Sequence, residues 1–169
     1  MMKTDYEDTG LAQLFGMPFV VLRKPVPFDT TTLNFNWQVW DTKAFSLYSR
    51  STEKIDKKGA DMAIAAVCRF LSRMNVLNYN VYGGYESTVL IEEELVSLRS
   101  TASGLYIPHV KSFDSVKRGQ VLADIIDPLT GVTVAQTEAP EDGIVFFAKD
   151  SPLVMENETL FKIVNKLHK

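Results

Sequence analysis

The sequence predicts an α/β layer of strands and a helix over residues 1–99, followed by an all-β module over residues 100–169. Three observations lead to this division. The stretch Asp56–Met74 has apolar positions three or four residues apart, which is the period of an amphipathic helix. Short apolar runs of strand length lie on both sides of that helix. From Ser100 onward the helical period disappears until the tail, and short β runs alternate with Gly, Pro and Asp.

Composition and charge are those of an ordinary globular protein. Of the 169 residues, 46% are hydrophobic and 23% charged, and the net charge is -3. There is no basic stripe for nucleic acid, no apolar run of the roughly 18 residues that a membrane helix needs, and no signal-peptide pattern. The single cysteine, Cys68, cannot form an intramolecular disulfide. We therefore expect a cytoplasmic protein that binds neither nucleic acid nor membrane.

The chain before the long helix contains four predicted segments. A short helix is expected over Leu11–Phe15, ended by Gly16. Pro18–Arg23 is a continuous apolar run, which predicts a strand covered on both faces in a parallel sheet. Asp29–Asn36 is polar and rich in threonine, so it is predicted as a loop, and Ala44–Tyr48 is predicted as a second strand.

The helix Asp56–Met74 is expected to bury one apolar stripe. The stripe consists of Ala60, Ile64, Val67, Cys68, Leu71 and Met74. The charged positions largely off this stripe are Lys57, Lys58, Asp61, Arg69 and Arg73. Strands are predicted after the helix at Thr88–Ile91 and Leu95–Arg99. Strand, helix and strand in this order predict a βαβ-type layer, although the elements are too few to close a doubly wound sheet.

The β module repeats itself. Residues 116–125 correspond to residues 154–163 with an offset of 38, and the segment Ala102–Leu105 corresponds to Ala139–Ile144. The link Asp127–Gly131 has Pro and Gly where a turn requires them. Two such halves would cover each other's apolar faces.

This two-half pattern is similar to the barrel-sandwich fold of biotinyl and lipoyl domains. In those carrier domains the hairpin between the halves presents a lysine for covalent modification. Here no lysine lies between Arg118 and Lys149. A carrier role is therefore disfavoured, because the attachment amine is missing.

The amino-acid sequence of the module is more similar to that of another family. The segments Ala102–Tyr106, Val116–Ala123 and Ala139–Val145 resemble the C-terminal domain of the succinylglutamate desuccinylase/aspartoacylase family. Upstream, the matching segments are Leu11–Pro18, Asn36–Trp40 and Ala44–Leu47, which resemble the second half of that family's catalytic domain. The resemblance covers nearly the whole chain. It identifies residues 1–99 with part of an α/β deacylase catalytic domain and residues 100–169 with its β barrel-sandwich domain.

The resemblance implies a carboxypeptidase-like α/β layer and a zinc-dependent hydrolase that acts on amide or ester bonds. In this family a zinc-bound water attacks the substrate, a glutamate is the general base, and the substrates are small N-acyl amino acids or similar compounds. The family's zinc ligands come as His-x-x-Glu and a later His. No His-x-x-Glu occurs here, and the only histidines are His109 and His168. A catalytic zinc needs about three protein ligands, so we expect no zinc to be bound by this chain alone.

One residue is a candidate catalytic group by resemblance. In the family the strand after the aromatic segment ends in the glutamate base, and the matching run Phe45–Tyr48 has Tyr48 at that position. A phenol with a pKa near 10 is a poor general base at neutral pH, but it can donate a hydrogen bond to an oxyanion or a substrate carboxylate. Plain packing of Tyr48 is the alternative, and Glu53 stands at the base position if the match is shifted. No substrate-binding residue and no metal ligand is predicted.

Two functions follow as expectations. In the first, the chain is the C-terminal portion of a longer zinc-dependent deacylase, inactive alone, and it acts on a small acylated substrate when a missing half completes it. In the second, it is a non-catalytic binding or oligomerisation module. Both include self-association or pairing with another polypeptide, because Pro18–Arg23 and Ala44–Tyr48 are predicted to be exposed apolar edge strands.

Overall fold

The computed structural model of the protein describes residues 1–48, 55–80 and 82–165. The described residues form two compact units that divide the chain after Glu93. Strand Val96–Arg99 belongs to the second unit, although the sequence analysis places it in the first domain. The assignment of the two parts to a catalytic domain and a barrel-sandwich domain stays a prediction. Within the described residues, no helix has the length and apolar character needed to cross a membrane.

The first unit contains three α-helices and two strands. In chain order they are α1 (Thr9–Gln13), β1 (Phe19–Leu22), α2 (Leu33–Val39), α3 (Lys57–Arg73) and β2 (Thr88–Ile91). A 3₁₀ helix, Pro27–Thr31, precedes α2, and another, Glu92–Glu94, follows β2. The predicted helix Leu11–Phe15 begins two residues earlier, at Thr9, because the Asp8 carboxylate accepts a hydrogen bond from the Leu11 backbone N–H at 2.9 Å.

Strands β1 and β2 pair in parallel, with Phe19 opposite Thr88 and Leu22 opposite Ile91. Because α3 lies between them in the sequence, the predicted strand–helix–strand layer is confirmed. Residues 1–3 run along the other side of β1: the Arg23 N–H donates to the Met1 carbonyl at 3.1 Å, and the Lys3 N–H donates to the Arg23 carbonyl at 2.8 Å. Strand β1 therefore has neighbours on both sides, and the prediction of an exposed edge at Pro18–Arg23 is wrong.

Two predictions about the segment before α3 are also wrong. Residues 29–36 are largely helical rather than a loop, because the Thr32 hydroxyl caps α2 by accepting from the Phe35 N–H at 3.4 Å. Residues 44–48 form no strand. Their side chains contact helices instead: the Phe45 ring centroid lies 6.2 Å from that of Phe70 in α3, and the Ser46 hydroxyl accepts from the Asn34 amide of α2 at 2.7 Å.

Helix α3 has the predicted length but not the predicted orientation. It begins after Asp56, whose carboxylate accepts from the Gly59 N–H at 3.0 Å. Its buried residues are Gly59, Ala66 and Arg69. Most of the predicted stripe lies on the other side and remains exposed or half-buried. The reason is that α3 is apolar around most of its circumference, so the period of three to four residues does not select which face is buried.

The second unit contains eight strands in two four-stranded antiparallel sheets. In chain order they are β3 (Val96–Arg99), β4 (Gly104–Pro108), β5 (Ser115–Val116), β6 (Val121–Ile126), β7 (Thr133–Glu138), β8 (Gly143–Ala148), β9 (Leu153–Val154) and β10 (Thr159–Val164). One sheet has the order β3-β10-β8-β5, and the other has the order β7-β6-β4-β9.

The internal repeat is present in these strands. Strands β5 and β6 recur as β9 and β10 with the same offset of 38 residues that the sequence shows. The two sheet orders are related by the repeat. Each strand of one half has a counterpart in the other half: β3 and β7, β4 and β8, β5 and β9, β6 and β10. Exchanging the members of each pair converts the order of one sheet into that of the other. Each sheet therefore contains strands of both halves, so neither half can complete a sheet alone.

The core of the second unit contains residues that occupy equivalent positions in the two halves of the repeat. Its fully buried side chains include Leu122, Ile125, Val145, Leu160, Phe161 and Ile163. Two equivalent glycines begin β4 and β8 because the backbone is approached closely there. A Cβ atom at Gly104 would lie 2.5 Å from the Ile126 carbonyl oxygen, and one at Gly143 would lie 2.5 Å from Cγ2 of Ile163.

The Tyr106 hydroxyl in this core has no hydrogen-bond partner among the described residues. Burial raises the pKa of the Tyr106 phenol. We expect Tyr106→Phe to leave the free energy of unfolding unchanged or to raise it by up to about 1 kcal/mol, because it removes an unpaired buried polar group. Chemical denaturation of the variant measures this difference. A clear loss of stability would contradict the prediction, since it would show that the hydroxyl has a partner.

Candidate functional site

Tyr48, the candidate catalytic residue, lies at the end of segment 42–48 in the first unit, which has no regular secondary structure. Phe45 anchors this segment by packing against the stacked rings of Phe15 and Phe70, whose centroids are 4.3 Å apart. Tyr48 itself is 76% exposed. The phenol is therefore open to a ligand, and its role in catalysis stays a prediction. The alternative base position, Glu53, lies outside the described residues.

The first unit also contains a charged pair, Arg23 with Asp29. The guanidinium binds both carboxylate oxygens of Asp29, with one contact of 2.8 Å, and Asp29 also accepts from the Val26 N–H at 2.8 Å. The Arg23 hydrogen bond, followed by that of the Val26 backbone, lowers the pKa of the buried Asp29 carboxyl. The pair with Asp29 raises the pKa of Arg23, and Tyr48 contributes in the same direction. Asp29 therefore fixes the Arg23 guanidinium within the first unit.

A second polar cluster joins the C-terminal end of α1 to the segment before β2. Arg69 is only 5% exposed, and its Nε donates to the Phe15 carbonyl at 2.9 Å. Its two terminal nitrogens donate to the carbonyls of Gly16 and Tyr82, each at 3.4 Å. Burial is the main cause that lowers the pKa of Arg69. The guanidinium thus links the backbone that follows α1 to the segment that precedes β2.

Arg73, one turn further along α3, extends the same cluster. It donates to the Leu14 carbonyl at 2.8 Å and to the Gly83 carbonyl at 2.6 Å. Gly84 completes the arrangement with a φ of 79°. A Cβ atom there would lie 2.7 Å from Nε of Arg69, so only glycine fits without a shift of the cluster.

The sequence analysis does not identify this cluster. The available signal is that Arg69 is the only charged residue between Met62 and Ser72. A lone charge on an otherwise apolar helical stretch either reaches solvent or binds buried polar groups, and the sequence does not distinguish these outcomes. Three tyrosines near the cluster, Tyr79, Tyr82 and Tyr85, have exposed side chains.

In the second unit, His109 belongs to a surface network. Its Nε2 atom lies 2.8 Å from Oδ2 of Asp124, and the Gln136 amide donates to the other carboxylate oxygen at 2.8 Å. The Gln136 and His109 contacts lower the pKa of Asp124. Residues 1–48, 55–80 and 82–165 contain no group of three or more His, Cys, Asp or Glu side chains that could hold a metal ion. His168 lies outside the described residues.

The hairpin between the two halves is formed as the turn chemistry predicts. The Gly131 N–H donates to the Asp127 carbonyl at 2.8 Å, and the Asp127 carboxylate accepts from the Leu129 N–H at 2.8 Å. The Leu129 N–H is the main cause that lowers the pKa of Asp127. The tip of the hairpin presents the exposed Leu129 side chain.

A shallow depression of about 520 Å³ lies on the second unit, beside β3, β8 and β10. Its lining residues are Arg99, Phe146, Phe147, Glu158, Thr159 and Lys162. The Arg99 guanidinium donates to the Asn157 carbonyl at 2.7 Å, and Lys149 pairs with Glu158. The charges at the rim are thus engaged in contacts within the unit, so they do not converge on a ligand.

No protein-family profile matches the chain, and no curated protein matches it significantly. Solved structures do match. A succinylglutamate desuccinylase/aspartoacylase from Rhodobacter sphaeroides superposes on 95% of this chain and 49% of its own, with 14% identity and a TM-score of 0.76.

Two further structures give the same result. The product-bound ectoine utilization protein EutE (DoeB) from Ruegeria pomeroyi matches 92% of this chain and 47% of its own, with 11% identity and a TM-score of 0.74. A succinylglutamate desuccinylase from Silicibacter sp. TM1040 matches 91% and 48%, with 13% identity and a TM-score of 0.71. The chain therefore has the fold of the succinylglutamate desuccinylase/aspartoacylase structures and spans about half of their length, which agrees with the predicted C-terminal portion.

Proposed function

We propose that this chain is the C-terminal portion of a zinc-dependent deacylase, an amidohydrolase for small N-acyl amino acids or similar acylated compounds. The supporting observation is the agreement in fold with a succinylglutamate desuccinylase/aspartoacylase over 95% of the chain, at a TM-score of 0.76. The ectoine utilization protein with this fold has been solved with product bound. A small-molecule substrate is therefore the class that the proposal assigns to the completed protein.

The described residues do not fit a zinc centre. A catalytic zinc takes about three protein ligands and leaves a position open, whereas no three suitable side chains come together in the described part of the chain. His109 lies in the second unit, and its Nε2 atom already contacts Asp124. The proposal therefore assigns the zinc ligands to the half of the fold that this chain does not cover, and it expects the chain alone to be inactive.

In this proposal Tyr48 contacts the substrate rather than acting as the base. Its phenol is exposed. A phenol is suited to donate a hydrogen bond to an oxyanion or to a substrate carboxylate. The glutamate that serves as base in the family would then have to come from another position.

The second unit is, in the same proposal, a barrel-sandwich domain similar to biotinyl and lipoyl domains. The internal repeat that converts one sheet order into the other supports this. The exposed tip of the hairpin carries Leu129 instead of a lysine. The domain would accompany the catalytic part without carrying a covalent group.

Zinc content and hydrolysis test the proposal together. We expect the purified chain to contain far less than one zinc per molecule by plasma mass spectrometry and to release no amine from N-acetylated or N-succinylated amino acids. The matched sample is the longer polypeptide obtained by including the reading frame upstream of Met1, which is expected to encode His-x-x-Glu and a later His. That polypeptide should bind one zinc and hydrolyse at least one of these substrates. Stoichiometric zinc in the short chain, or an upstream frame without these ligands, would contradict the proposal.

The second candidate function is a non-catalytic binding or oligomerisation module. The observation in its favour is the exposed apolar side of α3, where Ile64 is 63% and Met74 is 43% exposed. This function would be favoured over the deacylase by a longer polypeptide that binds no zinc and is inactive, but associates with another chain.

A further inference from the structure

Arg23 lies at the carboxyl end of the parallel sheet in the first unit. It directly follows β1, which runs parallel to β2, and it also pairs in parallel with Met2. The carboxyl ends of these strands therefore lie at one edge of the sheet. Open α/β sheets bind their ligands at this edge. The position of Arg23 is thus one from which a side chain can contact a ligand.

The Arg23 side chain is held in one orientation by a buried carboxylate. Its Nη1 atom donates to Oδ2 of Asp29 at 2.8 Å, and its Nη2 atom binds Oδ1. The Asp29 side chain is only 5% exposed, and it also accepts from the Val26 N–H. The backbone of Arg23 is fixed as well, through hydrogen bonds with Met1 and Lys3. A guanidinium fixed in this way loses little conformational entropy when it binds a further group.

Asp29 engages only one of the two parallel donor pairs of the guanidinium. An arginine side chain has five N–H donors in a rigid plane, and the bonds to Asp29 use one N–H of each terminal nitrogen. The second pair consists of Nε–H and the remaining N–H of the terminal nitrogen beside it. Neither has a hydrogen-bond partner among residues 1–48, 55–80 and 82–165. The side chain is 29% exposed, so it reaches the solvent.

We propose that this second donor pair of Arg23 binds the carboxylate of an N-acyl amino acid. A carboxylate is planar and accepts two parallel hydrogen bonds, which matches the geometry of the pair. The inference rests on the proposed deacylase function and narrows its substrate class to acylated compounds that carry a free carboxylate. Arg23 is then a substrate-binding residue, and Asp29 is the residue that positions it.

The charges at this edge of the sheet have both signs. Lys24 follows Arg23 in the sequence, and the backbone of Lys3 pairs with it, so both attract an anion. Glu92 and Glu93 follow β2 and oppose an anion, although Oε1 of Glu93 accepts from the Lys24 N–H at 3.2 Å. Net charge therefore selects no ligand here. The parallel donor pair does, because it matches a planar carboxylate.

Titration of the ¹⁵N-labelled full chain, followed by NMR, tests the inference without zinc or hydrolysis. The probes are N-acetylglycine, which carries a carboxylate, and N-acetylglycinamide, which is similar in size but neutral. We expect N-acetylglycine to shift the Nε–H resonance of Arg23 in a saturable manner, and N-acetylglycinamide to leave it unchanged at the same ionic strength. An equal response to both probes would overturn the inference. Inorganic phosphate that binds more tightly than N-acetylglycine would do so as well, because the site would then be a general anion site.

Arg23→Lys is the variant that removes the donor pair. Lysine keeps a positive charge beside Asp29, but its ammonium lacks two parallel donors. We expect this variant to bind N-acetylglycine about 10-fold more weakly or worse, measured on backbone amide resonances. Arg73→Lys is the matched control, because Arg73 donates to backbone carbonyls of the same unit, and it should leave the affinity unchanged. Far-UV circular dichroism shows that each variant is folded, and the comparison of the two probes on the wild-type chain depends on neither variant.

The longer polypeptide separates this inference from the proposed function. If the Arg23 resonance of a zinc-free sample no longer responds to N-acetylglycine, a group of the added half binds Arg23 and the inference is wrong. If the zinc-loaded polypeptide hydrolyses N-acetylglycine and Arg23→Lys leaves its KM unchanged, the inference is wrong while the deacylase function stands. If the carboxylate binds and no substrate is hydrolysed, the deacylase function fails while the carboxylate site stands.

Discussion

Replacing Arg69 by methionine is expected to lower the free energy of unfolding of the first unit by about 2–4 kcal/mol. Methionine preserves most of the apolar volume of the arginine stem but removes the guanidinium. The Phe15 carbonyl would then lose a charged donor in a buried position, whereas the Gly16 carbonyl would keep the Tyr85 N–H at 3.0 Å. A buried polar group without a partner is more costly than the gain from an ordinary hydrogen bond.

Arg73→Met is the matched control for this prediction. Arg73 binds carbonyls of the same cluster, at Leu14 and Gly83, but its side chain is exposed, so water can replace the lost donor. We expect a loss of about 1 kcal/mol or less. The two tryptophans of the sequence, Trp37 and Trp40, both lie in the first unit, so their fluorescence during urea unfolding reports on that unit. Equal losses for the two variants would contradict the assigned role of Arg69.

In the second unit the largest effects are expected at Leu122 and Leu160. These residues are equivalent in the internal repeat, and both side chains are fully buried. Leu122→Ala and Leu160→Ala should each lower the free energy of unfolding by about 2–5 kcal/mol, because each removes buried methyl groups and leaves a cavity. The two losses should be similar, since the two residues have equivalent positions in sheets of the same order.

Hydrogen exchange of the amides in β4, β6, β8 and β10 measures this loss in the second unit. Leu129→Ala is the control, because Leu129 is exposed at the hairpin tip and its replacement should change stability by no more than about 0.5 kcal/mol. A large loss for one of the buried leucines and none for the other would show that the two halves of the repeat are not equivalent in energy.

The features that the sequence predicts correctly are those with a local cause. Helix α3 begins at Lys57 because the Asp56 carboxylate caps it. It ends at Arg73, and Asn75 takes a positive φ of 57° shortly after that end. The parallel pairing of β1 with β2 follows from two apolar runs separated by a helix. The strands of the second unit repeat because the sequence repeats with the same offset.

The errors occur where contacts distant in sequence decide the structure. The segment 44–48 has the composition of a strand, but the Phe45 ring packs against the stacked rings of Phe15 and Phe70, and the segment forms no strand. Asp29, expected in a loop, is buried as the partner of Arg23 and caps a 3₁₀ helix. Tyr48 is identified by resemblance alone, and nothing local to the sequence indicates that its side chain is exposed.

By itself, the sequence determined where α3 lies, that residues 100–165 are all β, that the β module has two equivalent halves and which family the fold resembles. Capping, turn chemistry and repetition depend on residues close in the chain or on the chain's own period, so they can be read without coordinates. Only the tertiary structure decided which side of α3 is buried. Because α3 is apolar on both sides, the carbonyls that Arg69 reaches, more than 50 residues away, select the inner side and leave Ile64, Val67 and Met74 exposed.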